Sequence, residues 1–386
     1  MSLPFPICAP PGTPNGLLDS WYELWAGAGL EVLEEIEGVL TRGTRLLDLP
    51  SWWQLVTTRE RPSWATPHEI VFETPLARLR DFSTDPASEL VPVLVLPPQA
   101  GHDSCIVDYS PGQSQMRTIV QAGLPRALSL DWLGATAATA DASIDDYLDV
   151  IDRAVEHAGG RVNLIGDCQG GWLATLYAAL EPERINTLTI AGAPIDFHAG
   201  EPIIHEVLRH LAPGGDMTLY KALIRQAGGV LKGEYMVTGF VMIKPIDELK
   251  RQLALLRHLD DQAHVERYRE FENWFKHTQD IPGAFYLWII EHLFRDNELV
   301  SRSLRVRDRI VDLRALDMPI NLLAGANDHI TPPDQVFALA HEVSTPPELI
   351  RHEITGGGHL GLFMGHEALR DHWPVILEAI REHSVG

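Results

Sequence analysis

The chain has 386 residues, 45% of them hydrophobic, which exceeds one small core and suits a large domain carrying an insertion. Its 53 acidic side chains outweigh 31 basic ones for a formal net charge of −22, which argues against nucleic acid and against anionic membrane surfaces as partners. Three cysteines (Cys8, Cys105, Cys168) are too few for a disulfide framework and lack metal-ligand spacing, so no metal and no cofactor are expected.

The first sixteen residues hold Pro4, Pro6, Pro10, Pro11 and Pro14 and read as an irregular arm, with neither a signal-peptide pattern nor a membrane-length apolar run. A reducing cytoplasm is the expected setting. From Gly16 to about Leu40, Leu18, Trp21, Trp25, Leu33, Ile36 and Leu40 fall near helical spacing. Trp52, Trp53 and Trp64 follow, and such aromatics are expected to pack a helix onto a core. From Pro67 the pattern turns to strands. HEIVFETPLARLRDF reads as a hairpin around Thr74-Pro75, VPVLVLPP and RALSLDW as buried strands, and SIDDYLDVIDRAVEHAGG as an amphipathic helix closed by glycine. A strand over 161–165 and a helix over 172–180 come next, then INTLTIAGAPIDF. Such alternation implies a mostly parallel sheet. Residues 197–313 break the rhythm with a largely helical stretch rich in aromatics, and are expected to form a cap. The expected division is therefore an N-terminal arm and helical extension over 1–65, sheet core over 66–196 and 314–386, and cap over 197–313. A final helix is expected near His366 to His383.

Between the 161–165 strand and the 172–180 helix lies Gly166-Asp167-Cys168-Gln169-Gly170-Gly171. A strand, a sharp turn with glycines two positions either side of a nucleophile, and a helix make a nucleophile elbow. Cysteine in its centre implies acyl transfer through a thioester. Downstream, the apolar run 319–325 leads into Asn327-Asp328-His329, which sets Asp328 just past a strand end. The alternating ELIRHEIT ends in Gly356-Gly357-Gly358-His359, and a histidine in such a loop can return over the sheet edge to the thiol. Cys168, Asp328, His359 is the chain order of α/β-hydrolases. One oxyanion donor is expected from the backbone N–H of Gln169, the other from Ala100 or Gly101 in the loop after VPVLVL. His102 in that loop is either a substrate contact or a structural group. Asp167 either raises the pKa of the neighbouring thiol as a carboxylate or turns away to cap a backbone group.

At LDW (130–132), DCQGG (167–171), APIDF (193–197), NDHITPP (327–333) and GGHLGLFMG (357–365), the chain resembles the polyhydroxyalkanoate synthases, especially the short catalytic subunits that work with a second subunit. The segments TPHEIVFETPLARLRDF and IVDYSPGQSQMRTIVQAG are similar to the family as well. The resemblance implies Cys168 as nucleophile, His359 as base, Asp328 as its partner and His329 in a supporting role. It also implies a hydroxyacyl-CoA or acyl ester substrate, a polyester granule surface as a setting, and a homodimer or a second synthase subunit as partner. AGHDS in the oxyanion loop and Asp167 in the elbow depart from the family pattern. Two further readings stay open: a cysteine esterase, thioesterase or intracellular polyester hydrolase, and a non-catalytic granule-surface protein.

Overall fold

The computed structural model describes residues 48–200, 202, 216–243 and 245–385. The proline-rich arm and the helix expected before residue 41 lie outside these residues.

Eight strands make one sheet: β1 (Glu69–Glu73), β2 (Ala77–Asp81), β3 (Val93–Leu96), β4 (Ala127–Trp132), β5 (Val162–Asp167), β6 (Ile185–Ala191), β7 (Ile320–Gly325) and β8 (Ile350–Thr355). Their spatial order is β1-β2-β4-β3-β5-β6-β7-β8. β1 and β2 form the expected hairpin, and β2 pairs antiparallel with β4. Every other neighbouring pair is parallel. This is the α/β-hydrolase fold. The central strands are apolar without alternation because both faces are covered: every residue of β3, β5, β6 and β7 is buried. The edge strand β8 is exposed or half-buried up to its last residue, Thr355, which is buried.

The crossover helices follow from local signals. The helix Ile144–Ala158 (α3, counting from Leu49–Thr57 as α1 and Gln115–Gln121 as α2) begins at a capping box in which Ser143 and Asp146 satisfy each other's backbone N–H groups. It buries Ile144, Tyr147, Leu148, Ile151, Val155 and Ala158, one face at three- and four-residue spacing. It ends at Gly159, whose φ of 111° only glycine adopts without strain. The elbow helix α4 runs Gln169–Leu180, three residues earlier than expected, and β5 extends to Asp167, two residues later. A turn of one residue joins them, so strand and helix both reach the cysteine. The last helical run begins at His366 as expected and passes through a π-helical stretch, Ala368–His372, into the α-helix Trp373–His383, with Pro374 in its first turn. Its end is tied to the sheet by buried polar side chains. Asn163 in β5 donates to Ser384 Oγ at 2.8 Å and accepts from Asn186 and Thr187 at 2.8 and 3.0 Å. These groups satisfy one another out of water.

The described residues divide into two compact units. One comprises described residues up to 59 with 240–271, the other 60–239 with 272–385. The described residues of 197–239 and 272–313 in the helical insertion thus belong with the sheet. In the smaller unit, α1 carries no buried residue and Trp53 is 63% exposed, contrary to the expected packing of this tryptophan. Trp52, Leu55 and Val56 of α1 are half-buried, and the Trp52 indole donates to Gln252 O at 3.2 Å. Trp64, in the larger unit, packs on Phe82 with Arg80 over its ring.

Candidate active site

Cys168 stands between β5 and α4 with φ 52° and ψ −118°, a backbone conformation that non-glycine residues hold only under strain. Its N–H donates to Ala191 O at 2.8 Å and its carbonyl accepts from Gly171 N–H at 2.9 Å. The flanking glycines are demanded by contact. A Cβ on Gly166 would lie 2.4 Å from Gly170 O, one on Gly170 1.9 Å from Leu96 O, and one on Gly171 2.3 Å from Ala193 Cβ. The helix start is thereby pressed onto the ends of β3 and β5. Gln169 is the first residue of α4, and an anion on Cys168 would lie at the positive end of that helix.

The structure brings Asp328 and His359 together. Asp328 Oδ1 accepts the backbone N–H groups of Ile330 and Thr331, both at 2.9 Å, while Oδ2 lies 2.7 Å from His359 Nδ1. Their loops are stitched together: Ala326 N–H donates to Thr355 O, and Asn327 donates through its backbone and side chain to Gly357 O and Gly356 O. The His359 side chain is 8% exposed. Burial alone would lower its pKa. The Asp328 carboxylate, the Cys168 sulfur and hydrogen bonds to both outweigh that and hold the imidazole well above its ordinary value. All three sequence-predicted residues therefore meet around one imidazole. Sequence reasoning did not single out Gly192, which follows β6 with φ 55°. A Cβ there would lie 2.7 Å from Leu362 Cδ1 and 3.4 Å from His359 Cε1, so this glycine makes room for the histidine loop. A glycine directly after a core strand was the available signal.

The loop from Pro97 to Asp103 starts beside the elbow, since Leu96 O faces Gly170. Trp132 Nε1 donates to Pro97 O at 2.9 Å. Gln99, fully enclosed, donates to Leu133 O at 3.3 Å and accepts from Tyr147 Oη at 2.5 Å. Gly101 has φ 86°, and its carbonyl is taken by Gln279 N–H at 2.8 Å. His102 stacks on Trp274 at 4.7 Å and on Phe275 at 5.1 Å, and burial pushes its pKa down to about 4 despite backbone hydrogen bonds at Ala100 and Phe275. It is a neutral packing group there. His329 is exposed to solvent. Cys105 is buried in the core, which pushes its thiol well above the ordinary range.

Asp167 is fully buried. Its side chain turns to the Gln115 side chain, whose Nε2 lies 3.4 Å from Oδ1, rather than to a backbone group. Burial pushes its pKa up to about 8, against the Gln115 hydrogen bond and the His359 charge. Arg117 donates to Pro111 O, Arg126 to Ala158 O, and Lys276 pairs with Glu272. Among the described residues no helix is long and apolar enough to cross a membrane.

A family model described as "Protein of unknown function (DUF3141)" matches residues 74–371. The chain is similar to a poly(3-hydroxyalkanoate) polymerase subunit PhaC of Haloferax mediterranei, 26% identical over 328 residues, covering 83% of this chain and 64% of that protein. It thus spans less than two thirds of that relative's length. It is also similar to the protein of the same name from Synechocystis, 27% identical over 338 residues, covering 82% of this chain and 85% of the relative. Among solved structures, a thermophilic esterase from Thermogutta terrifontis is 15% identical with a TM-score of 0.48, covering 83% of this chain and 99% of that one.

Proposed function

We propose that this chain, which belongs to the DUF3141 family and is polyhydroxyalkanoate-synthase-like, is an acyl-transferring enzyme with Cys168 as nucleophile, His359 as base and Asp328 as the orienting carboxylate. One observation carries the reading: a cysteine in a strained strand-to-helix turn shares its hydrogen bond with a buried imidazole whose other nitrogen is held by a carboxylate.

His359 takes the thiol proton, and the Cys168 sulfur attacks the carbonyl carbon of a 3-hydroxyacyl thioester or ester. Negative charge on the carbonyl oxygen is met by the N–H of Gln169 and by a second N–H from Ala100 or Gly101. The bond from the carbonyl carbon to the leaving thiol, or to the leaving alcohol of an ester, breaks as His359 returns the proton to it, leaving an acyl-cysteine thioester. His359 then deprotonates the hydroxyl of an acceptor, whose oxygen attacks the thioester and releases Cys168. Asp328 keeps the imidazole in the tautomer and direction both halves require. His329 and His102 hold supporting positions, exposed and packed respectively. Hydroxyacyl-CoA is the favoured substrate class, with a polyester surface, a second copy or a second subunit as partners, in the cytoplasm.

The relatives are named as polymerase subunits, which supports a hydroxyacyl chain over water as acceptor. Intact mass after exposure to 3-hydroxybutyryl-CoA tests the nucleophile: an acyl adduct forms on the parent and is lost in Cys168→Ala, while Cys105→Ala retains it. An adduct persisting in Cys168→Ala sinks the assignment. Product partition tests the acceptor. Polymer matched to released CoA supports transfer, whereas CoA matched to free 3-hydroxybutyrate leaves the thioesterase or esterase reading.

A further inference from the structure

Two buried polar atoms beside the elbow have no hydrogen-bond partner: Asp167 Oδ2 and Gln115 Oε1. They belong to two side chains already joined by their other ends, Gln115 Nε2 to Asp167 Oδ1 at 3.4 Å, and both residues are fully buried. Leaving two oxygen acceptors unmatched in the same dry place costs their full desolvation. A single proton cures both.

We propose that Asp167 and Gln115 form a reciprocal acid–amide pair: the Gln115 amide donates to Oδ1, and a carboxyl proton on Asp167 Oδ2 donates to Gln115 Oε1. Asp167 is then a positioning residue that locks the end of β5 to the start of α2 without placing a charge next to the thiol. The upward shift of its pKa to about 8, caused by burial, agrees with that state. The opposing influences come from the Gln115 amide and from the charge of His359, whose imidazole is held by Asp328; the Cys168 thiol is the next residue in the chain. The consequence for chemistry rests on the reading of Cys168 and His359 as a working pair. A neutral Asp167 leaves Asp328 as the one carboxylate on the imidazole and does not oppose a thiolate on Cys168. Ionisation as pH passes about 8 adds an anion one residue from the sulfur.

The test compares the parent with Asp167→Asn, which keeps the shape and a hydrogen-bonding amide but cannot ionise. A group whose folded pKa is raised keeps the folded chain protonated where the unfolded chain is not, and its contribution to stability falls as pH rises toward the folded pKa. The thermal-midpoint difference between variant and parent should therefore widen in the variant's favour from pH 4 to pH 8 and stay flat above. Alkylation of Cys168 by iodoacetamide, followed by peptide mass, should run at equal rates in the two proteins below pH 7 and slow severalfold in the parent relative to the variant above pH 8. A midpoint difference that does not change with pH means Asp167 is ionised throughout and overturns the proposal. If the variant does not fold, infrared spectra of the parent decide. A protonated-carboxyl carbonyl band at pH 7 that disappears toward pH 9 upholds the pair, and its absence at pH 7 overturns it. The midpoint experiment needs no turnover, so it stands even where the acyl-transfer reading fails.

Discussion

Cys168 holds its half-buried position with a φ of 52°, and the surrounding residues show how the strain is held. Its N–H is fixed to β6 and its carbonyl to the first turn of α4, so the residue cannot relax without breaking both. The glycines contribute by absence of side chain. Gly170→Ala would drive a methyl into the Leu96 carbonyl at 1.9 Å, a backbone atom with no freedom to move aside. We expect a loss of about 3 kcal/mol or more, read from urea unfolding, together with loss of Cys168 acylation. Asp328 is the second residue whose surroundings dictate a role. Two backbone N–H groups hold Oδ1, leaving Oδ2 free to orient the imidazole. Asp328→Asn should preserve the fold but favour the wrong imidazole tautomer, lowering kcat about ten-thousandfold with little change in KM. Near-parental kcat in that variant would remove Asp328 from the mechanism.

At the scale of elements, the loop after β3 shows how a local segment is set by distant ones. Trp132, Leu133 and Tyr147 clamp it from one side, and Trp274 with Phe275 stack on His102 from the other. His102 bears a cost in acid. Its pKa is depressed to about 4 in the folded chain, so the unfolded chain binds the extra proton between pH 6.5 and 4 and stability falls as pH drops through that window. His102→Phe keeps the stack and removes the proton site. Its thermal midpoint should lose less than the parent's between pH 6.5 and 4, by the equivalent of about 3 kcal/mol at most. Parallel decline of both proteins would show that His102 titrates normally. The same loop was read from sequence as the source of an oxyanion donor, and its start does abut α4, but the clamps that hold it come from residues no local pattern connects.

Across the whole molecule, the sheet order collects at the ends of β5, β7 and β8 three side chains that are far apart in the chain. Parallel strands place their carboxyl ends on one edge, which is why an elbow, an acid loop and a histidine loop can converge there. We propose that the part of the helical insertion packed with the sheet supplies apolar surface for the acyl group. Trp172, four residues past Cys168, has Phe285 and Trp288 each at 6.2 Å between ring centroids. Initial rates on a series of acyl thioesters should rise from acetyl to short and medium hydroxyacyl groups. A preference for charged or glycosyl substrates would contradict this picture.

The hairpin at Thr74-Pro75, the buried strands, the capped helix before Gly159 and the strand–turn–helix around Cys168 were all legible in the sequence, because each is written in the spacing of neighbouring residues. So was the chain order of Cys168, Asp328 and His359, since their turns carry glycines and follow strands. Tertiary structure decided what those residues face. Trp53 is apolar yet 63% exposed, which its spacing in the sequence does not show. Gly192 proved necessary only once the histidine loop was seen to return against it. Asp167 reads in sequence as a carboxylate beside a thiol. Its burial against Gln115, 52 residues away in the chain, pushes its pKa up to about 8. Charge state depends on desolvation and on the partner opposite, and neither is a property of the residues next in line.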